Sequence, residues 1–325
     1  MPTDRTRSAL ARGRALLDRL GASSPTADRI IARLGTELVQ SHERNEAKGV
    51  YEGDYFGDGR DPSGDRQGRS GYARYDRISS NADIAGFVLW RTFGGAHNAL
   101  DIGCATGFVV EVLRELGLDA QGCDVSRFAV QSAAPGAKGH IRLADLMTGL
   151  PWPSRTFDIV SVLETLEHLP PDQVRQAIAE VARVCGGFVY ATIPSFGPSG
   201  GPGPDGFFDN KVQPDRLDHY RNLAGSYEGP IPHEDLATDV HGHLVEGHLT
   251  IASYKWWTHQ FEDAGMMRRP DIEARIHADI APAGLTPWWN LYVFAASGAE
   301  EALAIPRKPE MDLVSLGLSH PLYGS

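Results

Sequence analysis

Between Asn98 and Ser126 the chain reads NALDIGCATGFVVEVLRELGLDAQGCDVS, and few folds accommodate such a stretch. Ala99, Leu100 and Ile102 make the short apolar run of a buried parallel strand. Gly103-Cys104-Ala105-Thr106-Gly107 then turns tightly. Phe108 to Leu116 carries apolar residues at helical spacing, and Gly117 closes that helix as a C-terminal cap. Leu118 to Cys123 is a second strand, ended by Asp124. The result is half of a βαβ unit, with a glycine turn after one strand and an acid at the tip of the next.

This arrangement suits a nucleoside ligand. Gly103 and Gly107 remove the Cβ that would block a close approach to the backbone. An acid at the position of Asp124 can accept hydrogen bonds from both hydroxyls of a ribose. Dinucleotide binders share the logic but require G-x-G-x-x-G. Here the order is Asp101-x-Gly103-x-x-x-Gly107. That resembles motif I of the class I S-adenosylmethionine (SAM)-dependent methyltransferases, D-x-G-x-G-x-G, with Ala105 in place of the middle glycine. The resemblance implies an α/β fold, a doubly wound Rossmann-like sheet closed by an antiparallel hairpin, and SAM as cofactor.

Composition narrows the partners. A chain of 325 residues with 42% hydrophobic content has room for one large α/β domain plus additions. A formal net charge of −11 argues against nucleic acid or an anionic membrane surface. No apolar run approaches a membrane span, and the Arg-rich start lacks the apolar core of a secretory signal, so a cytoplasmic protein is expected. Cys104, Cys123 and Cys185 lie in or beside buried strands without metal-ligand spacing, which predicts reduced core thiols.

Ahead of the main domain, residues 1–49 read as a helical arm. Leu10, Leu16, Leu17 and Leu20 stripe one helix, and Ile30, Ile31, Leu34 and Leu38 a second that Pro25 opens. Such stripes fit a homo-oligomer contact or a cap packed on the chain's own domain. From Val50 to Asp76 glycine, aspartate and arginine dominate, yet Tyr51, Tyr55, Phe56, Tyr72 and Tyr75 are scattered among them. Aromatics in a polar loop seek burial, against a ligand or against the domain. A Tyr-rich loop leading by one helix into motif I resembles sugar and natural-product methyltransferases.

Downstream order agrees. A strand near His140 to Leu143 precedes Ala144-Asp145-Leu146, where the family carries an acid that contacts the adenine amino group. Phe157 to Val162 is a fourth strand, and Glu164-Thr165-Leu166-Glu167-His168-Leu169 after it resembles the family's D-V-L-E-H-L. A helix over Pro171 to Val184 and a strand over Gly187 to Ile193 follow. Ser253 to Ala264 is a Trp-rich helix, and Met267 to His277 with Trp288 to Ala296 read as the closing strands. The methyltransferase domain thus covers residues 50–298, interrupted by a Gly/Pro- and His-rich insertion at 195–247 and followed by a tail at 299–325. A structureless insertion of that length, leaving the ligand edge of the sheet, reads as an acceptor-binding segment.

The resemblance places cofactor contacts at Tyr72, Asp101, Gly103, Cys104, Ala105, Gly107, Asp124, Val125, Asp145, Leu146 and Glu164. Methyl transfer from a sulfonium mainly requires positioning, but a hydroxyl acceptor also needs a base or a metal. His248, before the Trp-rich helix, matches a histidine often found there in related enzymes and is the first candidate base, followed by His168 and Glu164. Asp239-x-His241-x-His243 has ligands enough for a divalent ion, although H-x-H in a loop is a weak signal, and a metal-free mechanism is expected. The reading is therefore O-methylation of a small molecule, a sugar or a secondary metabolite. N- or C-methylation, a non-catalytic SAM-binding protein and a nicotinamide-dependent oxidoreductase are the rivals.

Overall fold

The computed structural model describes residues 75–77, 79–206, 211–223, 226–238, 244–280 and 290–307. The chain divides into Met1–Glu52 and Gly53–Ser325, and every described residue belongs to the second unit. The helical arm, Tyr72, Asp239, His241 and His243 lie outside the described residues.

A seven-stranded sheet dominates. Its strands are β1 (Asn98–Ile102), β2 (Asp119–Asp124), β3 (Ile141–Leu143), β4 (Phe157–Leu163) and β5 (Cys185–Thr192), all parallel. A helix intervenes at α1 (Ala82–Thr92) before β1, α2 (Phe108–Glu115) before β2, α3 (Arg127–Gln131) before β3 and α4 (Pro171–Val184) before β5. β8 (Met267–Arg268) and β9 (Leu291–Ala295) close the sheet, β9 antiparallel to both β5 and β8. The strand order 3-2-1-4-5-9-8 reverses direction of growth between β1 and β4. At that switch point the connections diverge and leave a crevice at the strands' C-terminal ends.

Each face of the sheet is covered, as parallel strands demand. On one side Leu89 of α1, Val110 and Leu113 of α2 and Phe188 of β5 share a core. On the other, Val174, Ile178 and Val181 of α4 meet Trp257 and Phe261 of α6 (Tyr254–Asp263) over Val160, Val162 and Val189. All three cysteines are buried free thiols, as the sequence predicts.

Two segments differ from the sequence reading. Residues after Arg268 do not continue a strand. Pro270 opens the helix α7 (Pro270–Ile280), with Asp271 and Glu273 in its first turn, and Ile272 and Ile276 are buried one helical turn apart. The insertion is not structureless. Ser195–Phe196 forms β6, paired in parallel with β7 (Ala252–Ser253), and α5 (Leu217–Leu223) follows. Phe196, Val212, Tyr220, Ile231, Leu236 and Ile251 make its own small core. Arg268 ties it to the sheet edge, donating to Ser199 O at 2.8 Å and to both oxygens of buried Glu273 at 3.0 Å. The described start of the tail packs back on α1: Gly94 N donates to Ile305 O at 2.8 Å and Arg307 N to Arg91 O at 2.9 Å.

Candidate functional site

The turn after β1 lies at the switch point. Gly103 N and Cys104 N both donate to Cys123 O, at 2.8 and 3.0 Å, which sets the turn against β2. Its backbone enters the left-handed region at Gly103 (φ 72), Ala105 (φ 48) and Gly107 (φ 82). Alanine tolerates this conformation at a cost, which is why the family favours glycine there. A Cβ at Gly103 would lie 2.3 Å from Thr165 Oγ1, and one at Gly107 would lie 2.8 Å from the Ala137 Cβ. Both glycines are thus already required by the chain's own packing, beyond any need of a ligand.

Asp124 locks the turn. Its carboxylate accepts from Ala105 N at 2.8 Å and from Ser126 N at 2.7 Å. Burial raises its pKa, and the amides of Ser126, Ala105 and Val125 oppose that. A carboxylate has roughly four acceptor positions, so two bonds leave capacity for a pair of ligand hydroxyls. Asp101, 3% exposed, accepts from Ser161 Oγ at 2.7 Å. Desolvation pushes its pKa up to about 7, against the Ser161 bond and with a further push from Asp124.

A cleft of about 600 Å³, open solvent included, adjoins this turn. Its walls include Asp101, Gly103, Cys104 and Val109 from the first strand-turn-helix unit, Leu163 and Glu164 after β4, and Thr192 of β5. Tyr75, Ser80 and Asn81 close it from the N-terminal side. Glu164 sits in the left-handed region (φ 46), its amide bonded to Thr192 O at 2.9 Å. Its side chain is exposed at the cleft, and desolvation together with the nearby charge of Glu246 raises its pKa, against a bond to Thr192.

Behind Glu164 two distant segments are stitched together. Leu249 N and Thr250 N both donate to Glu167 O, at 2.8 and 2.9 Å, and Thr250 Oγ1 donates to Leu169 O at 2.6 Å. A ring nitrogen of His168 bonds Gly247 O at 3.1 Å. These bonds bring His248 edge-on to His168, with ring centroids 5.0 Å apart, and put its Nε2 3.8 Å from both Glu167 Oε1 and Glu246 Oε2. The buried Lys211 ammonium pairs with Glu246. Glu167 is fully buried, and its two carboxyl oxygens lack a geometrically sound hydrogen bond. Desolvation keeps both imidazoles neutral, lowering His168 to about 4 and His248 well below its usual value, and raises Glu167 well above the carboxylate range.

The sequence candidates divide by place. Asp101, Gly103, Cys104 and Glu164 line the cleft, while Ala105, Gly107 and Asp124 build the turn beside it. Val125 follows β2. Asp145 caps the turn after β3 by accepting from Met147 N at 2.9 Å, and Leu146 is buried in the core against β4 and α4. His168 and His248 meet behind Glu164. Sequence reasoning passed over Asn81, Thr192, Glu167, Lys211 and Glu246. Glu167 had a signal: an acid between Leu166 and Leu169, in a run of buried character.

The central part of this architecture has known relatives. Residues 100–190 match the methyltransferase domain family. Over 127 residues the chain is 30% identical to the ubiquinone biosynthesis O-methyltransferase of Ralstonia nicotianae, covering 37% of this chain and 49% of that protein. The corresponding enzyme of Methylococcus capsulatus is 29% identical over 123 residues, 33% of this chain and 48% of that protein. The chain thus spans about half the length of the curated relatives it matches. Among solved structures, a SAM-bound amino pentose methyltransferase from Micromonospora echinaspora aligns with a TM-score of 0.44 at 16% identity, over 68% of this chain and 92% of that one. A sugar N-methyltransferase from Streptoalloteichus aligns with a TM-score of 0.44 at 17% identity, over 69% of this chain and 88% of that one.

Proposed function

We propose that this chain, whose residues 100–190 match the methyltransferase domain family, is a class I SAM-dependent methyltransferase that methylates a hydroxyl of a small molecule, a sugar or a secondary metabolite. The cofactor fits the residues present. Asp124 has acceptor capacity for the ribose hydroxyls, Asp145 follows β3 at the position that the resemblance gives to the adenine contact, and the Gly103–Gly107 turn supplies backbone for the rest. Asp101 and Glu164 are acids whose ionisation a cationic ligand would favour, and SAM carries both an ammonium and a sulfonium.

When bound, SAM would supply an electrophilic methyl group on positively charged sulfur, which would keep the electron pair of the cleaved bond. The protein's tasks are to align an acceptor oxygen, exclude water and take a proton. Glu164 is placed for the last of these. It is exposed at the cleft, and a pKa raised above the usual carboxylate range makes it the better proton acceptor there. The acceptor hydroxyl gives its proton to the Glu164 carboxylate, and the oxygen lone pair forms the new bond to carbon. His248 is the base expected from the sequence. It is 5% exposed, with Nε2 turned to Glu167 and Glu246, so it ranks behind Glu164 as the group that meets the acceptor.

The observation that carries this reading is the cleft itself, walled by Asp101 and Gly103 on one side of the switch point and by Glu164 on the other. The test is product formation from SAM labelled on its methyl group, with a panel of hydroxylated sugars and phenols. Label should appear in an ether product, and Glu164→Gln should lose about 10²–10⁴ in rate at saturating SAM. Label transfer only to amines would overturn the hydroxyl assignment. SAM binding with no transfer to any acceptor would make the chain a binder rather than an enzyme.

A further inference from the structure

We propose that Glu167, His168 and His248 form a binding site for one divalent transition-metal ion of the zinc or ferrous class, held by one carboxylate oxygen and two imidazole nitrogens beside the methyl-transfer cleft. One potential ligand atom from each residue lies within 4.8 Å of the others. Bonds of about 2.0–2.2 Å would draw such atoms in by roughly an ångström, a side-chain movement only.

Hydrogen bonding gives the first argument. Both Glu167 oxygens are buried without a geometrically sound hydrogen bond, their near polar neighbours being the Glu164 carboxyl and, at 3.8 Å, His248 Nε2. Buried polar atoms in native proteins are satisfied with few exceptions, and a missing ion is one recognised cause of an exception. A shared proton is the competing account, and between the Glu164 and Glu167 carboxyls it would satisfy one Glu167 oxygen and leave the other open. At 3.8 Å, however, the gap from His248 Nε2 to Glu167 Oε1 is too long for a hydrogen bond.

Rigidity gives the second. The ligands come from two segments that main-chain bonds hold in register, through Leu249 and Thr250 on Glu167 O. The Gly247 carbonyl fixes the His168 ring, the kind of outer contact that orients metal-binding histidines. The charge of buried Lys211 is offset by Glu246. Two imidazoles and one carboxylate select zinc, iron or cobalt over magnesium or calcium, and three protein ligands leave positions for a further oxygen. Glu164, three residues before Glu167, borders the cleft from which that oxygen would come. An acceptor hydroxyl bound there would be polarised by the ion and lose its proton to Glu164. That role rests on the methyl-transfer reading; the binding site does not.

The full chain, stripped with a chelator and dialysed, would be titrated with Zn²⁺ by calorimetry and with Co²⁺ by visible absorption, with SAM binding and methyl transfer measured on the same samples. One ion per chain is expected. Glu167→Gln and His248→Gln should each weaken it by more than about 100-fold with SAM affinity unchanged. No uptake by the wild type would overturn the site. So would uptake that ignores both substitutions, which would locate the ion elsewhere, as at Asp239, His241 and His243. Should the variants not fold, Co²⁺-induced shifts of histidine ring resonances in the wild type decide: shifts confined to His168 and His248 support the site, and shifts of other histidines overturn it. Tight uptake at these residues with no methyl transfer would sink the methyltransferase reading and leave the metal site standing.

Discussion

Thr165 fills the space that any side chain at Gly103 would need. A Cβ there would lie 2.3 Å from Thr165 Oγ1 and 2.5 Å from its Cγ2, so the turn after β1 and the loop after β4 interlock across the switch point. Gly103→Ala should therefore do double damage, through the clash and through a φ of 72. A loss of roughly 1–3 kcal/mol in urea unfolding is expected. Thr165→Ala in the same chain should restore part of it. Equal losses in the single and double variants would show that the two residues do not meet.

Ala105 invites the opposite change. Its φ of 48 is strained for alanine and ordinary for glycine. Ala105→Gly should leave stability unchanged or raise it by up to about 1 kcal/mol, although glycine in a loop normally lowers it. Chemical denaturation of the two proteins side by side measures this, and a clear loss would contradict the described turn.

Asp124 joins the turn to the ligand. Asp124→Ala removes the acceptor for Ala105 N and Ser126 N and, on the proposed function, the ribose contact as well. Titration calorimetry with SAM should show affinity falling by on the order of 2–4 kcal/mol. Unchanged affinity would remove Asp124 from the cofactor site.

How far the sequence revealed this site depended on distance along the chain. The switch point was legible because a buried strand, a glycine turn and a terminal acid are adjacent and each has a local signature. The helix Pro270–Ile280 was misread because Met267, Ile272 and Ile276 supply apolar residues without deciding between strand and helix; Pro270 was the better guide. The small core of Phe196, Tyr220 and Ile251 left no periodic trace, since its members come from separate turns. Glu167 and His248 meet only through Leu249 and Thr250 binding Glu167 O, a pairing that no local pattern encodes.

Asp101 should make stability depend on pH. Folded, its pKa stands at about 7; unfolded, it returns to the usual 3.8. Between those values the native state holds the extra proton, so stability falls as pH rises from about 4 to about 7 and levels off above. For a fully buried acid the effect is on the order of 4 kcal/mol at most. In urea unfolding without SAM, Asp101→Asn should lose less stability than the wild type between about pH 5 and about pH 8. Parallel pH profiles for the two would assign the slope to other groups.

Arg268 and Glu273 form a buried pair at 3.0 Å, and Glu273 also accepts from Val293 N. Arg268→Met strands that carboxylate and frees Ser199 O, which should cost about 3–5 kcal/mol. Adding Glu273→Leu should recover much of the loss. Thermal melting reads both, and an unperturbed single variant would contradict the pairing.

The pairing of Ser195 with Ala252 has an evolutionary consequence. Everything between those residues leaves the sheet and returns at one doorstep, so its length is decoupled from the strand order. A graft exchanging residues 200–243 for a differently built segment would therefore rewire none of the parallel crossovers of the seven-stranded sheet. The segment can then diverge by cassette exchange, while the strand, turn and acid from Asp101 to Asp124 are inherited intact.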